Sequence, residues 1–212
     1  MIDNSLSGIE LVFYNEYTNF IHRKGSGVLY NELLHGSDFF YAPASSKYHL
    51  AKEGGLVEHS LNVYKNLFNL IDVLDEWACF SEESVAIVSL LHDVCKIGMY
   101  TPTFRNAKSY DEKDVTNAPS YMVKEDGNGQ YVWVTVPGYD INEKFIYGHG
   151  EKSVYLITKY MELSDEEAQA IRFHMASWVE NDKSMAGKVF AENKLAWLLH
   201  VADEMATYWD ES

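Results

Sequence analysis

Ionisable side chains occupy positions that helical periodicity assigns to the interior of this chain. Over residues 56–74, small and apolar residues recur at three- and four-residue steps, which predicts an amphipathic helix with one buried face. The residues of this stripe are Leu56, Ser60, Val63, Leu67, Leu70 and Leu74. His59 lies beside the stripe, so this helix brings an imidazole ring to the edge of the core.

A second helix shows the same combination. Ser81 is a typical N-terminal cap, and Glu82 and Glu83 suit the positive first turn of a helix. The apolar face that follows includes His92, and Gly98 is a typical stop signal. We therefore predict a helix that runs from Ser81 to Gly98 with a histidine on its buried face.

Two later helices complete the pattern. Residues 164–167 fit a capping box, and the helix that they open places His174 and Trp178 on one side. The last predicted helix, about residues 192–209, is apolar nearly all round and is expected to be deeply buried, yet it contains Asp203. A carboxylate in such surroundings requires a strong partner.

Helical periodicity fails between residues 101 and 147. There, residues 121–125 and 130–136 flank Asp126-Gly127-Asn128-Gly129, which predicts a β-hairpin. We interpret this region as an insertion that could form a lid. No repeat, low-complexity tract or linker divides the chain, so the prediction is one domain over residues 1–212, mainly α, with a helical bundle and a small β-hairpin insertion.

The net charge limits the choice of partners. A formal charge of -15 disfavours long nucleic acid, because such binding depends on Lys and Arg that neutralise many phosphates. The apolar stretch at residues 85–91 is too short to cross a bilayer, and the N-terminal sequence does not resemble a secretion signal. With Cys79 and Cys95 expected as free buried thiols, we predict a cytoplasmic protein without membrane association.

A metal centre would satisfy the inward ionisable residues together. Each histidine alone is more typical of a core residue that donates to a backbone carbonyl, so the argument rests on the joint pattern. Neighbours on a helix are about 100° apart, so the adjacent pair His92-Asp93 reaches one ion only from the edge of a face. Imidazole nitrogens and carboxylate oxygens are ligands that suit Zn, Mn, Fe or Ni.

Three sequence blocks carry this pattern: Gly54-Gly55-Leu56-Val57-Glu58-His59, Leu91-His92-Asp93-Val94-Cys95-Lys96 and His200-Val201-Ala202-Asp203. Over about residues 49–208 they resemble the HD-domain superfamily of metal-dependent phosphohydrolases. The first block is especially similar to the HD domain of bacterial 3'-to-5' exoribonucleases, where a histidine corresponding to His49 also precedes the Gly-Gly turn. The resemblance implies an HD-domain bundle in which His59, His92, Asp93 and Asp203 ligate one metal ion, with Asp93 bridging to a second.

Family members with two metals use further histidines from the middle of the chain. His149 and His174 stand at matching places, so the resemblance implies two divalent ions, with Mn, Fe, Ni, Zn and Mg as candidates. The alternative is that His149 only caps a helix and that His174 is a satisfied core residue. His49 is a candidate for supporting a ligand or contacting substrate.

Three cationic residues are candidates for phosphate binding. In the resembling family, a lysine at the position of Lys96 contacts the substrate phosphate or assists the leaving group. The alternative is a simple ion pair with Asp93, three residues before it. Lys152 and Arg172 lie close in sequence to proposed ligands, although a solvated surface position is the commoner role for each.

The resemblance implies hydrolysis of a nucleotide or other small phosphate ester by metal-activated water, with Asp93 orienting the nucleophile. We expect the insertion at residues 101–147 to select the substrate. One alternative is a phosphodiesterase or 3'-5' exonuclease that acts on a cyclic nucleotide or short nucleic acid. Another is a non-catalytic module that senses a nucleotide. The complete set of four ligands favours an enzyme over that module.

Overall fold

Helices form most of the chain in the computed structural model, which describes residues 8–176 and 183–211. Trp178, expected to share a face with His174, lies outside the described residues. The helices are α1 (Gly8–Phe20), α2 (Ser26–Val28, continued by a π-helical segment Leu29–His35), α3 (Gly55–Val73), α4 (Glu82–Leu91), α5 (Glu112–Asn117), α6 (His149–Thr158), α7 (Asp165–Phe173), α8 (Lys183–Glu192) and α9 (Lys194–Met205, continued by a π-helical segment Ala206–Asp210).

Helix α3 confirms the prediction made from the apolar stripe at residues 56–74. Two glycines set its start. Gly54 has a φ of 74°, which favours glycine, and a Cβ atom added to Gly55 would lie 2.1 Å from the carbonyl oxygen of Leu50. The preceding loop can therefore pack directly onto the helix start, and His59 is held one turn further along, 1% exposed.

Helix α4 is shorter than predicted. Ser81 caps it by accepting a hydrogen bond from the backbone nitrogen of Ser84, but the helix ends at Leu91 instead of running to Gly98. Asp93 leaves the helical conformation with φ −108° and ψ 15°, and a 3-10 turn follows at Val94–Lys96. The apolar pattern suggested a longer helix because the residues of this turn are buried as well.

The later helices follow the predictions with changes at their ends. The capping box between Ser164 and Glu167 is present, and His174 is the C-terminal cap of α7. The predicted helix at residues 192–209 corresponds to α9 and the π-helical segment after it. It begins two residues later than predicted, because Glu192 is the last residue of α8 and Asn193 caps α9 by accepting a hydrogen bond from the backbone nitrogen of Ala196. The expectation that this helix is buried all round is wrong at Trp197, which is 48% exposed.

The inserted region is a three-stranded antiparallel sheet in the order β1-β3-β2, with β1 (Tyr100–Ser109), β2 (Lys124–Asp126) and β3 (Gly129–Ile141). The predicted hairpin corresponds to β2 and β3, although β2 is shorter than residues 121–125. Strand β1, which the sequence did not indicate, pairs with β3 over ten residues. Most of β1 is exposed, so its sequence lacks the apolar alternation that reveals a half-buried strand.

Helix packing determines which helix ends lie next to each other. Helix α3 packs against α4 and α9, and α7 packs against α6 and α9. The approach of α6 to α7 is very close at Gly150, where an added Cβ would lie 2.2 Å from the carbonyl oxygen of Arg172. This contact places the start of α6 beside the end of α7, so His149 and His174 have ring centroids 5.4 Å apart.

The cysteines and the lengths of the apolar helices can be compared with the predictions. Both cysteines are free, but Cys79 is exposed and only Cys95 is buried, so the prediction of two buried thiols is wrong for Cys79. The segment around Cys79 consists of turns between α3 and α4. Among the described helices, none has the length and apolarity needed to cross a bilayer.

Candidate metal centre

The four residues of the quoted motifs meet at one point. His59 comes from α3, His92 and Asp93 from the end of α4, and Asp203 from α9. The Nε2 atom of His59 lies 3.3 Å from Nε2 of His92 and 3.1 Å from Oδ1 of Asp203. All four residues are at most 7% exposed. The structure therefore brings together residues that are up to 144 positions apart, from 59 to 203.

Asp93 lies between two groups of ligand atoms. Its Oδ2 atom is 3.6 Å from Nε2 of His59 and 3.6 Å from Nε2 of His92. Its Oδ1 atom is 2.7 Å from Nε2 of His149 and 3.5 Å from Nε2 of His174. Because the backbone leaves the helix at Asp93, the consecutive side chains of His92 and Asp93 face the same centre, and each carboxylate oxygen faces a different pair of histidines.

The tautomers of two histidines are fixed by backbone carbonyls. Nδ1 of His92 donates to the carbonyl oxygen of Ser89 at 2.8 Å, and Nδ1 of His174 donates to that of Ile171 at 2.6 Å. In a neutral imidazole the other nitrogen then carries a lone pair. Nε2 of His174 is buried and makes no hydrogen bond to the described residues. Each ring therefore directs an acceptor into the centre, which is the arrangement of a metal-binding histidine.

The spacing of these atoms fits metal ligands. Two donors that each lie about 2.1 Å from one ion are about 3.0 to 3.4 Å apart in octahedral or tetrahedral geometry. Within the described chain, sets of donors lie within 4.8 Å of one another, and three of these sets are His59, His92 and Asp203; His92, Asp93 and His174; and Asp93, Cys95 and His149. Buried His, Asp and Cys groups here can thus hold a metal ion.

The pKa values of two histidines indicate that the carboxylates of the cluster require a positive charge nearby. Burial lowers the pKa of His59, but hydrogen bonds with Asp203 and Glu211 outweigh it and raise the pKa to about 9. Burial also lowers the pKa of His149, and the opposing effects of Cys95 and Asp93 raise it to about 10. Without a metal, protons therefore supply the positive charge that these carboxylates need.

His92 and Asp93 behave differently. Burial lowers the pKa of His92 to about 4, so its ring is neutral at neutral pH and available as a ligand. Burial raises the pKa of Asp93, but Lys96 and His92 lower it more, so the pKa lies well below its usual range. The centre combines an ionised carboxylate with a neutral imidazole, as divalent metal sites require.

Lys96 and Cys95 extend the cluster beyond the histidines. Nζ of Lys96 donates to Oδ2 of Asp93 at 2.6 Å, and Asp93 raises the pKa of this lysine against the opposing effect of burial. Their predicted contact is present, although a 3-10 turn and not an α-helix provides it. Sγ of Cys95 is 3.4 Å from Nδ1 of His149, a contact that the sequence did not suggest.

A cavity of about 700 Å³ opens above the centre. His59, Asp93, Lys96, His149 and Asp203 line its floor and walls. His92 and His174 are fully buried beneath it. The cluster of candidate ligands is therefore accessible to a small molecule from one side.

Residues that were not predicted as ligands form the rest of the wall of this cavity. His49, considered from the sequence as a supporting residue, lines it together with Tyr48, Tyr208 and Glu211. Nδ1 of His59 donates to both carboxylate oxygens of Glu211, at 3.0 and 3.1 Å. No local pattern singles out Glu211, because it lies 152 positions from His59 and follows the π-helical segment that ends at Asp210.

Lys152 and Arg172 are not brought to the cavity. Lys152 is only 6% exposed, which corrects the expectation of a solvated position, and its Nζ donates to Glu143 at 2.9 Å. Arg172 pairs with Glu151 at 2.5 Å. In the described part of the chain, the residues that line the cavity all lie outside residues 101–147, and the role of that segment as a lid or substrate selector stays a prediction.

Comparison of the chain with protein-family models, with curated proteins and with solved structures gave no match. The functional assignment therefore rests on the sequence motifs and on the arrangement of the residues around the cavity.

Proposed function

We propose that this chain is an HD-domain metal-dependent phosphohydrolase that acts on a nucleotide or another small phosphate ester. The observation that carries the proposal is the position of Asp93, whose two carboxylate oxygens face two different histidine pairs in one buried centre. A single carboxylate surrounded in this way is suited to bridge two cations. An isolated core histidine or a plain ion pair would not require such an arrangement.

The candidate ligands divide into two sets, one for each ion. His59, His92 and Asp203, with Oδ2 of Asp93, would hold the first, and His149 and His174, with Oδ1 of Asp93, would hold the second. Mixed imidazole and carboxylate ligands suit Zn, Mn, Fe or Ni better than Mg, which prefers oxygen. Such ions supply Lewis-acid stabilisation of phosphate and lower the pKa of a water molecule.

Lys96 gives the pocket a fixed positive charge beside these ligands. Its ammonium group is held by Asp93 at 2.6 Å and lines the cavity, so it can bind a phosphate oxygen or offset charge on a leaving oxygen. His49 adds a second polar group, because its Nε2 is buried, belongs to a cavity-lining residue and makes no hydrogen bond to the described chain. Both groups suit recognition of a small anion.

The cavity size and the charge of the protein favour a small substrate. A volume of about 700 Å³ lies in the range, roughly 300 to 1,000 Å³, that is usual for sites of small ligands. Tyr48 and Tyr208, 73% and 61% exposed, belong to the wall and offer aromatic surface to a base. The net charge of -15 opposes extended contact with a nucleic acid backbone.

The proposal is tested by metal content and turnover measured on the same preparation. Elemental analysis is expected to give two metal ions per chain, with hydrolysis of bis(p-nitrophenyl) phosphate or of members of a nucleotide panel in added Mn²⁺. His92→Ala is expected to lose metal and turnover together. His22→Ala is the matched control, because His22 is exposed and does not line the cavity.

Each result distinguishes between the functions. Turnover of nucleoside phosphates supports the proposal as stated, whereas turnover restricted to cyclic nucleotides or short oligonucleotides shifts it to a phosphodiesterase. Bound metal without turnover of any substrate would instead favour a sensing module. No metal in the wild-type protein under any loading condition would refute the metal-dependent mechanism.

A further inference from the structure

The chain after α9 returns to α3 next to His59. Nδ2 of Asn62 donates to Glu211 at 3.0 Å, and Nδ2 of Asn66 donates to Asp210 at 2.7 Å. Asn62 and Asn66 are four residues apart on α3, so they lie on the same face of this helix. A polar stripe that begins at His59 therefore receives the two acidic residues.

Glu211 contacts the side of His59 that faces away from the metal centre. Both of its carboxylate oxygens accept from Nδ1 at 3.0 and 3.1 Å, and its side chain is only 1% exposed. The opposite nitrogen, Nε2, faces Asp203 at 3.1 Å and His92 at 3.3 Å. One imidazole ring thus has a buried carboxylate on one edge and the candidate ligand cluster on the other.

This contact decides which ring nitrogen carries the proton. An ionised carboxylate can only accept, so it keeps the proton of a neutral His59 on Nδ1 and leaves the lone pair of Nε2 directed at the metal. A negatively charged partner also makes the imidazole a stronger donor to the metal. The corresponding partners of His92 and His174 are uncharged backbone carbonyls.

We propose that Glu211 is a positioning residue that fixes the orientation and tautomer of His59 and strengthens its bond to the metal. This inference rests on the proposed function in one respect, namely that His59 binds a metal. Asp210 then has a different task. It fastens the same segment to Asn66 without contacting the histidine.

The test compares three variants in titrations of the metal-free full chain with Zn²⁺ alone. Glu211→Ala is expected to weaken binding about 10- to 100-fold, the usual effect of losing such a partner. Glu211→Gln is expected to lose less, because its amide oxygen still accepts from Nδ1. Asp210→Asn is the matched control, since it neutralises the neighbouring carboxylate and should leave the affinity within about twofold of the wild type.

A spectroscopic measurement separates this role from a merely structural one. In the Zn²⁺-loaded wild type, the Nδ1 proton of His59 is expected as a downfield, slowly exchanging resonance in the proton NMR spectrum. It should disappear in Glu211→Ala and remain in Asp210→Asn. A structural fastening role would instead predict that Asp210→Ala, which removes the hydrogen bond from Asn66, affects the resonance and the affinity as strongly as Glu211→Ala, and that result would overturn the proposal.

The remaining outcomes distinguish this inference from the proposed function. If the wild type binds Zn²⁺ and Glu211→Ala binds it equally well, with the resonance unchanged, the role of Glu211 is refuted and the metal centre stands. If the wild type binds neither Zn²⁺ nor Mn²⁺, the proposed function fails and this inference fails with it.

Discussion

Replacing Asp93 with asparagine removes one negative charge from the centre while leaving the size of the side chain nearly unchanged. In the wild type, this carboxylate accepts from Lys96 at 2.6 Å and from His149 at 2.7 Å, and its side chain is 3% exposed. Lys96 is itself only 8% exposed. The substitution therefore leaves a buried ammonium group without its counter-charge.

The expected loss has two parts. Removing one partner of a buried ion pair destabilises a protein by about 3 to 5 kcal/mol, which applies to the metal-free protein. Metal binding adds a second part, because a ligand at about 100 times its Kd stabilises the folded state by about 2.7 kcal/mol. Asparagine cannot bridge two cations, so the variant should also lose most of this metal-dependent stabilisation.

Urea unfolding, followed by far-UV circular dichroism in chelator and in Mn²⁺, measures both parts. Glu143→Gln is the matched control. It also neutralises the partner of a buried lysine, since Glu143 accepts from Lys152 at 2.9 Å, but this pair lies outside the cavity. The control should lose less stability, because its carboxylate is 27% exposed, and it should retain the whole gain from Mn²⁺.

Two results would refute this reasoning. A metal-dependent gain that survives in Asp93→Asn would show that Asp93 is not a ligand. A loss below about 1 kcal/mol in chelator would show that Lys96 does not depend on Asp93 for its burial.

Three further predictions follow from other parts of the structure. First, burial lowers the pKa of His59, but hydrogen bonds to two carboxylates outweigh it and raise the pKa to about 9. The proton on His59 therefore stabilises the metal-free protein fully below pH 6.5, and this stabilisation is lost as the pH rises through 9. The same proton competes with the metal, so Zn²⁺ affinity measured by calorimetry should increase between pH 6.5 and 9, and a constant affinity would contradict this. Second, Gly150→Ala would bring a Cβ to 2.2 Å from the carbonyl oxygen of Arg172 and push α6 away from α7. Elemental analysis should then find one metal ion per chain instead of two, and two ions would count against the assigned second site. Third, Arg23→Ala removes two hydrogen bonds, of 2.5 and 2.8 Å, from the buried carboxylate of Glu167, and urea unfolding should show a loss of about 3 kcal/mol with unchanged metal affinity. A loss of affinity in this variant would mean that the distant ion pair also shapes the centre.

Features that depend on local sequence were predictable. The repeat of small and apolar residues at three- and four-residue steps predicted α3, and Ser81 and the capping box at Ser164 predicted where α4 and α7 begin. Such signals succeed because a helix joins residues only three or four positions apart. His59 and His92 therefore had to lie near the buried faces of their helices.

Elements whose side chains are mostly exposed left no comparable pattern in the sequence. Strand β1 is held by its hydrogen bonds to β3 and exposes most of its side chains, so it shows no apolar alternation. The end of α4 was misjudged for the opposite reason. Val94 and Cys95 are buried in the turn, and burial alone does not distinguish a turn from a helix.

The sequence by itself determined the main helices, the ionisable residues on their inner faces and the adjacency of His92 and Asp93. Only the tertiary structure decided that Asp93 faces two histidine pairs, that Glu211 backs His59 and that Lys152 pairs with Glu143, away from the cavity. The physical reason is the distance along the chain over which each kind of interaction acts. Periodicity and capping act over a few residues, whereas these contacts depend on how whole helices pack, which no local pattern encodes.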